Sequence, residues 1–388
     1  MTPAARIGAA IECLDEILAG APAEKVLTRW ARASRFAGSK DRAAVRDHVF
    51  DALRSKRSFA ALGGGEAGRG LMLGALRAGG EDPGAVFGSG GHAPSALSAA
   101  EEAGGRPPKE GAEAGNFPDW LWPELEASHG AEASRIAAAL SARAPVHLRV
   151  NLARATREEA QEALAQEGIV TRAHGVAATA LQVEDGARKL RQSEAYNSGL
   201  VELQDGASQA VTESLPLAPG VRVLDYCAGG GGKSLAMAAR RGAQVYAHDV
   251  SQARLNDLPG RARRAGTPVT QLTTAEVARH APYDIVLCDV PCSGSGSWRR
   301  APDAKWRLTP ERLRELGGIQ LGILEEVEKR VAPDGLLAYA TCSLLECENT
   351  AIVTRFLSHR PAWEVVYQQS WTLEDESDGF FVAHLKRR

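Results

Sequence analysis

The chain has 388 residues, 44% hydrophobic and 24% charged, with a net charge of −2. That is enough apolar content for two or three domains with their own cores, and too little positive charge for a uniformly basic nucleic-acid binder, although a global sum can hide a local patch. No run of about 18 apolar residues occurs, and Met1–Arg6 lacks the charged-then-apolar pattern of a signal peptide, so a cytoplasmic protein with no membrane partner is expected. Six cysteines, at 13, 227, 288, 292, 342 and 347, form no C-x-x-C pair and accompany no histidine cluster, which speaks against a metal site or a disulfide framework and for free thiols.

From Ala4 to Leu18, Ile7, Ile11, Leu14 and Leu18 recur at helical spacing, and Val45, Val49 and Leu53 repeat the pattern. Between Lys25 and Arg57 ten Lys/Arg stand against three acids, Asp41, Asp47 and Asp51. Such a run is read equally well as a solvated helix surface or as a phosphate-contacting face. Glycines and the breakers Asp82-Pro83 and Arg106-Pro107-Pro108 predict two short helices, over 71–76 and 93–103, and then a linker at 105–115. Val146 to Asn151 alternates as a strand, Thr156 to Ala165 reads as a helix capped by Thr156 with Glu159 three residues on, and 168–172 and 179–183 look extended. These make a small α+β module within residues 116–214.

The remainder alternates strand and helix, with strands expected at 221–225, 244–249, 283–289 and 335–341 and a long helix at 311–331. That order predicts a parallel sheet covered by helices on both faces, with any ligand outside the carboxyl ends of the strands. At the first of these ends stands Asp225-Tyr226-Cys227-Ala228-Gly229-Gly230-Gly231-Gly232-Lys233-Ser234. The loop fits a P-loop only in part, because Cys227 stands at its first glycine, and a dinucleotide fingerprint only in part, because its third glycine is a serine. An S-adenosylmethionine site needs a glycine turn there and an acid after the second strand, which Asp249 supplies; a nicotinamide site would use the same acid.

The other strand ends carry Cys288-Asp289-Val290-Pro291-Cys292-Ser293-Gly294 and Thr341-Cys342-Ser343. A single cysteine is ordinarily a small buried hydrophobe. Two thiols and a carboxylate at neighbouring strand ends suit a different task. C5 of cytosine becomes nucleophilic only after a thiolate adds to C6, and hydride transfer has no use for such groups.

These runs, with Arg299 to Trp306 and Asp378-Gly379-Phe380-Phe381, resemble the Nop/Sun family of RNA cytosine-5 methyltransferases, and among them the bacterial Sun type. The resemblance covers the C-terminal half closely and reaches the small module through Arg149-Val150-Asn151 and Gln204-Asp205. It implies three parts: an all-α NusB-like RNA-binding domain over 1–104, a ferredoxin- or RRM-like α+β module over 116–214, and a Rossmann-like class I methyltransferase domain over 215–388. It further implies S-adenosylmethionine as cofactor, held by Cys227, Ala228, Gly229, Gly230, Gly231, Gly232 and Lys233 at its methionine part and by Asp249 at its ribose. Cys342 corresponds to the nucleophile and Cys292 to the cysteine that assists product release. Asp289 would meet the cytosine N3/N4 edge or the cofactor's amino group. Arg149, Asn151, Arg299, Arg300 and Lys305 would contact RNA, with ribosomal RNA as the expected partner, no metal, and a monomeric protein. A transfer-RNA or other ribosomal-RNA methyltransferase of the same chemistry, or a non-catalytic RNA-binding assembly factor, stays open. This chain departs from the family in two places. A glycine replaces the proline of the Ala-Pro-Gly-Gly-Lys loop, and Gln271-Leu272-Thr273-Thr274 stands where an acid for the adenine amino group is usual; a backbone carbonyl or a threonine hydroxyl is the expected substitute.

Overall fold

Helical spacing of the apolar residues produces helices over Pro3–Leu18, Ala23–Ala33, Ser39–Arg54, Lys56–Gly63 and Gly68–Ala78 in a computed structural model that describes residues 1–240 and 242–388. Thr2 caps the first helix by accepting from Ala5 N at 3.1 Å, and Pro3 follows where a missing N–H is harmless. Ile7, Cys13, Leu14, Val26, Leu27, Val45, Val49 and Leu53 meet in one core. Of the helix expected at 93–103 only Ala99–Ala103 forms, started by a Ser98/Glu101 capping box; Gly90, Gly91 and Pro94 break the preceding stretch. The expected linker at 105–115 is tied down. Arg106 N donates to Ala61 O at 2.8 Å, the Arg106 guanidinium pairs with Glu113 at 2.7 Å, and Arg77 donates to the carbonyls of Leu62 and Gly104.

The chain divides into two compact units, residues 1–143 with 298–310 and residues 144–297 with 311–388. Helices Trp122–His129 and Ala133–Ser141 belong to the first of these units, as does a distant segment around helix Pro302–Arg307. Aromatic packing explains that assignment: Trp298 stacks edge-on against Phe117 at 5.8 Å, and Trp306 Nε1 donates to Leu53 O at 2.7 Å.

The second unit opens with a four-stranded antiparallel sheet of β1 (Val146–Val150), β2 (Val170–Ala173), β3 (Ala180–Asp185) and β4 (Val201–Leu203), in the order β2-β3-β1-β4. The predicted capping box forms, with Glu159 N donating to Thr156 Oγ1 at 3.2 Å and Thr156 N to Glu159 Oε2 at 2.8 Å, and helix Arg157–Gln166 sets Leu164 against Leu148, Val150 and Leu181. A seven-stranded sheet follows: β5 (Arg222–Asp225), β6 (Gln244–Ala247), β7 (Thr270–Gln271), β8 (Tyr283–Asp289), β9 (Val331–Thr341), β10 (Trp363–Trp371) and β11 (Phe380–Arg387), in the order β10-β11-β9-β8-β5-β6-β7. β5 to β9 run parallel, as alternation predicts, while β11 and β10 are antiparallel additions. The sheet is thus mixed rather than wholly parallel. Strand order reverses beside β5, so the carboxyl ends of β5, β6, β8 and β9 converge at one switch point. Among the described residues no helix is long and apolar enough to cross a membrane.

Candidate functional site

Gly229 and Gly231 take φ of +54° and +76°, which turns the backbone sharply after β5 at positions where a side chain would be strained. A Cβ at Gly231 would lie 2.4 Å from Leu258 Cδ1, so that glycine also admits close packing. Beneath the loop Asp225 is fully buried and accepts from Ser234 Oγ at 2.6 Å; burial pushes its pKa up to about 7.

Lys233 points from this loop to Asp289 at the end of β8, with Nζ 2.7 Å from Oδ2, and its ammonium also lies 4.8 Å from the centre of the Phe380 ring. Burial by itself lowers the lysine pKa, but the charge and hydrogen bond of Asp289, with contributions from Cys342 and Asp225, reverse the sign and raise it. The second Asp289 oxygen, Oδ1, makes no hydrogen bond among the described residues.

Asp249, one residue beyond His248 after β6, is 1% exposed. Its Oδ1 accepts from Ser251 N at 2.9 Å, and its Oδ2 accepts from Gly229 N at 2.9 Å and from Arg254 Nη1 at 3.1 Å. A carboxylate has about four lone-pair sites, so a ribose diol fits here when Arg254 gives up its place. Arg254 can do so, because its side chain is 59% exposed. The bare backbone of residues 229–232 is also compatible with a nucleoside cofactor lying close against it. At the third strand the threonine hydroxyls are already engaged. Thr273 Oγ1 donates to Glu276 Oε2 at 2.7 Å and Thr274 Oγ1 lies 2.9 Å from His248 Nε2. The Leu272 carbonyl accepts from Gln252 Nε2 at 3.3 Å.

The loops after β8 and β9 carry Cys292 and Cys342, whose sulfurs are 3.3 Å apart. Three further links hold these loops together: Val290 N to Ala340 O and Gly296 N to Cys342 O, each at 3.0 Å, and Leu344 N to Ser295 Oγ at 2.7 Å. The Asp378-Gly379 turn closes against them, with Gly379 N donating to Gly296 O at 3.0 Å; a Cβ on Gly296 would fall 2.0 Å from Gly379 O. The hydrogen bond to Cys342, followed by burial and by the charges of Cys342 and Glu348, drives the Cys292 thiol pKa well up.

Four of the five residues expected to touch RNA are buried. Arg149, 5% exposed, donates from Nη1 to Gly232 O at 2.7 Å and to Gln204 Oε1, which fastens β1 to the glycine loop. Asn151 Nδ2 donates to Gly199 O at 2.9 Å and Ala265 O at 2.8 Å. Arg299 is buried, with its carbonyl accepting from Arg54 Nε at 2.8 Å. Lys305, 1% exposed, lies against Phe117 and Trp306, and burial brings its pKa down to about 7. Only Arg300 is exposed. The basic run of the helical unit is also thinner than its count implies. Arg54 is buried, Arg29 pairs with Glu16 and Arg46 with Glu24, whereas Lys25, Arg32, Arg35 and Lys40 are exposed without a carboxylate partner among the described residues.

Residues 213–386 match the family described as 16S rRNA methyltransferase RsmB/F, and residues 117–188 match the ferredoxin-like domain of that family. A ribosomal RNA small subunit methyltransferase B from Xanthomonas campestris pv. campestris is 34% identical over 289 residues, which is 69% of this chain and 66% of the relative. A probable ribosomal RNA small subunit methyltransferase B from Synechocystis sp. is 30% identical over 298 residues, 70% of this chain and 67% of the relative. The chain belongs to the RsmB/F family. It spans just under two thirds of the length of the Xanthomonas relative. The solved structure of PH0851 shares the fold, with a TM-score of 0.77 at 22% identity, covering 100% of this chain and 99% of that one.

For an RsmB/F chain the sequence reading named the thiols, Asp289 and the glycine loop, and the structure brings these together at the ends of β5, β8 and β9. It overlooked Arg254, which occupies Asp249, and Glu348 and Asn349, which brace the thiol loops. The signal for the last two was the polar run Glu346-Cys347-Glu348-Asn349 directly after the Cys342 loop.

Proposed function

We propose that this RsmB/F chain methylates C5 of a cytosine in RNA, with 16S ribosomal RNA as substrate, through a covalent bond between Cys342 and C6. The observation that carries the reading is the contact of the Cys292 and Cys342 sulfurs, 3.3 Å apart at the ends of adjacent parallel strands and beside the Lys233–Asp289 pair.

S-adenosylmethionine, held by the loop from Cys227 to Lys233 and by Asp249, supplies an electrophilic methyl group when bound. The chain's own residues do the rest. A cytosine turned out of its stack presents C6 to Cys342. The Cys342 thiolate adds to C6, the C5–C6 pair shifts to C4–C5 and N3 takes a proton from water, which leaves C5 as an enamine-type nucleophile. Asp289 Oδ1, beside Lys233, accepts from the cytosine edge and stabilises that proton. Cys292, held protonated, can donate its S–H toward Cys342. After methylation N3 gives up its proton and C5 passes its proton to water, the C5–C6 double bond re-forms and Cys342 leaves as the thiolate, with Cys292 assisting.

The test is methyl transfer to unmodified small-subunit RNA, with the site mapped by bisulfite sequencing. Cys342→Ala is expected to abolish transfer, and Cys292→Ala to accumulate a covalent protein–RNA adduct. An adduct in Cys342→Ala would exchange the two roles, and binding without any transfer by the wild type would favour a non-catalytic assembly factor.

A further inference from the structure

Glu348 is 1% exposed, and no lysine, arginine or histidine pairs with it among the described residues. Its carboxylate accepts four hydrogen bonds. Ser293 N at 2.8 Å and Gln320 Nε2 at 3.0 Å reach Oε1, while Ser293 Oγ at 2.5 Å and Ser343 Oγ at 2.6 Å reach Oε2. Those bonds fill the lone pairs a carboxylate offers.

The identity of the donors matters more than their number. Ser293 follows Cys292, and Ser343 follows Cys342, so one side chain grips the residue beside each thiol. Gln320, fully buried, also donates to the carbonyl of Pro291, the residue before Cys292, at 3.0 Å. Asn349 holds the other flank, accepting from Thr341 Oγ1 at 2.6 Å and donating to Ser343 O at 3.0 Å. A buried carboxylate without a cation is costly to desolvate. Its return is a fixed register between two loops that contribute one sulfur each.

We propose that Glu348 is a positioning residue of the thiol pair: by holding Ser293 and Ser343 it sets the distance between Cys292 and Cys342. The inference rests on the reading that these thiols act on cytosine, and it adds a requirement that the two sulfurs be spaced from outside the reacting groups. A misplacement of about 1 Å in such a pair is enough to lower turnover by about 10²-fold.

Thiol coupling gives a test that does not depend on methyl transfer. The full chain is equilibrated with reduced and oxidised glutathione, and the Cys292–Cys342 disulfide is quantified by alkylation and mass spectrometry. The two thiols lose two electrons and two protons, and one glutathione disulfide becomes two thiols, so the equilibrium reports the effective concentration of one sulfur at the other. Glu348→Ala is expected to lower it at least about tenfold. Glu348→Gln should hold it within about threefold, because the amide keeps an acceptor for Ser293 N and Gln320 while both serine hydroxyls can rotate to accept. In parallel, Glu348→Ala should lower kcat on unmethylated RNA by about 10²-fold with KM for RNA little changed, and Glu348→Gln should recover most of it. Unchanged coupling in Glu348→Ala, or equal loss in both variants, overturns the proposal. If circular dichroism shows Glu348→Ala unfolded, Gln320→Ala takes its place: at least a threefold fall in coupling supports the proposal, and no fall overturns it. A wild type that couples its thiols but transfers no methyl group refutes the proposed function and leaves the positioning result to be judged on its own.

Discussion

Lys233 Nζ lies 2.7 Å from Asp289 Oδ2, and the two side chains, 8% and 29% exposed, join the glycine loop after β5 to the end of β8. Removing the lysine strands a mostly buried carboxylate close to a second one, Asp225. Lys233→Met is therefore expected to lower unfolding free energy by about 2 kcal/mol, somewhat less than for a wholly buried pair, and to abolish methyl transfer. Urea denaturation and single-turnover assays check the two effects separately. Stability equal to wild type would mean that solvent already compensates Asp289.

Arg149 and Asn151 are joints between the small sheet and the sheet that bears the site. Arg149→Met should weaken cofactor binding, because the guanidinium holds Gly232 O, while leaving the slope of log affinity for RNA against log salt unchanged. Arg300→Ala should behave in the opposite way, reducing that slope by about 0.7 with cofactor binding intact. Calorimetric titration of cofactor and a salt series of RNA binding decide. A shallower salt slope in Arg149→Met would return that residue to the RNA surface.

Arg254 competes with any diol for Asp249. The arginine half of this ion pair is 59% exposed, so Arg254→Ala should tighten S-adenosylmethionine binding only about twofold to threefold, read by the same calorimetry. Weaker binding would instead make Arg254 a direct contact of the cofactor.

His384 sits in β11, 4% exposed, with Nε2 3.1 Å from Ser214 Oγ, and burial lowers its pKa to about 4. In the unfolded chain the imidazole takes a proton below about pH 6.5; in the folded chain it does so only near 4. Stability from this group is present above pH 6.5 and is lost as the pH falls toward 4. Compared with His384→Gln, the wild type should lose up to about 3 kcal/mol between pH 7 and pH 4. Asp225, raised to about 7, acts with the opposite sign over much of that range, so the difference between the two proteins, not the wild-type curve, is the quantity to measure. A pH-independent difference would show that the imidazole takes up its proton over the same pH range in the folded and unfolded chains.

Most of the parallel sheet could be read from apolar runs that end in glycine or aspartate, as at Asp225 and Asp289. β4 and β7 escaped because three and two residues carry no periodicity. β10 escaped because its interior, from Glu364 to Ser370, is exposed, so it shows no buried face to the eye. The thiols were legible as chemistry, but their contact was not. It depends on Glu348 and Gln320, which lie far from Cys292 in the chain and look like ordinary surface residues in sequence. The enclosure of charged residues was hidden for the same reason: only packing reveals that Arg149, Arg299 and Lys305 are buried.

Residues 298–310 lie between the Cys292 loop and helix Pro310–Val327, yet they fold with the first 143 residues. The helical unit is consequently not a detachable module. A chain shortened to residues 144–388 would keep Trp298, Trp306 and Lys305 while losing Phe117 and Leu53, on which they rest, and would bare an aromatic patch prone to aggregation. Exchange of domains between relatives by a single crossover near residue 143 would separate the same partners, so the two ends of this assembly are bound to change together.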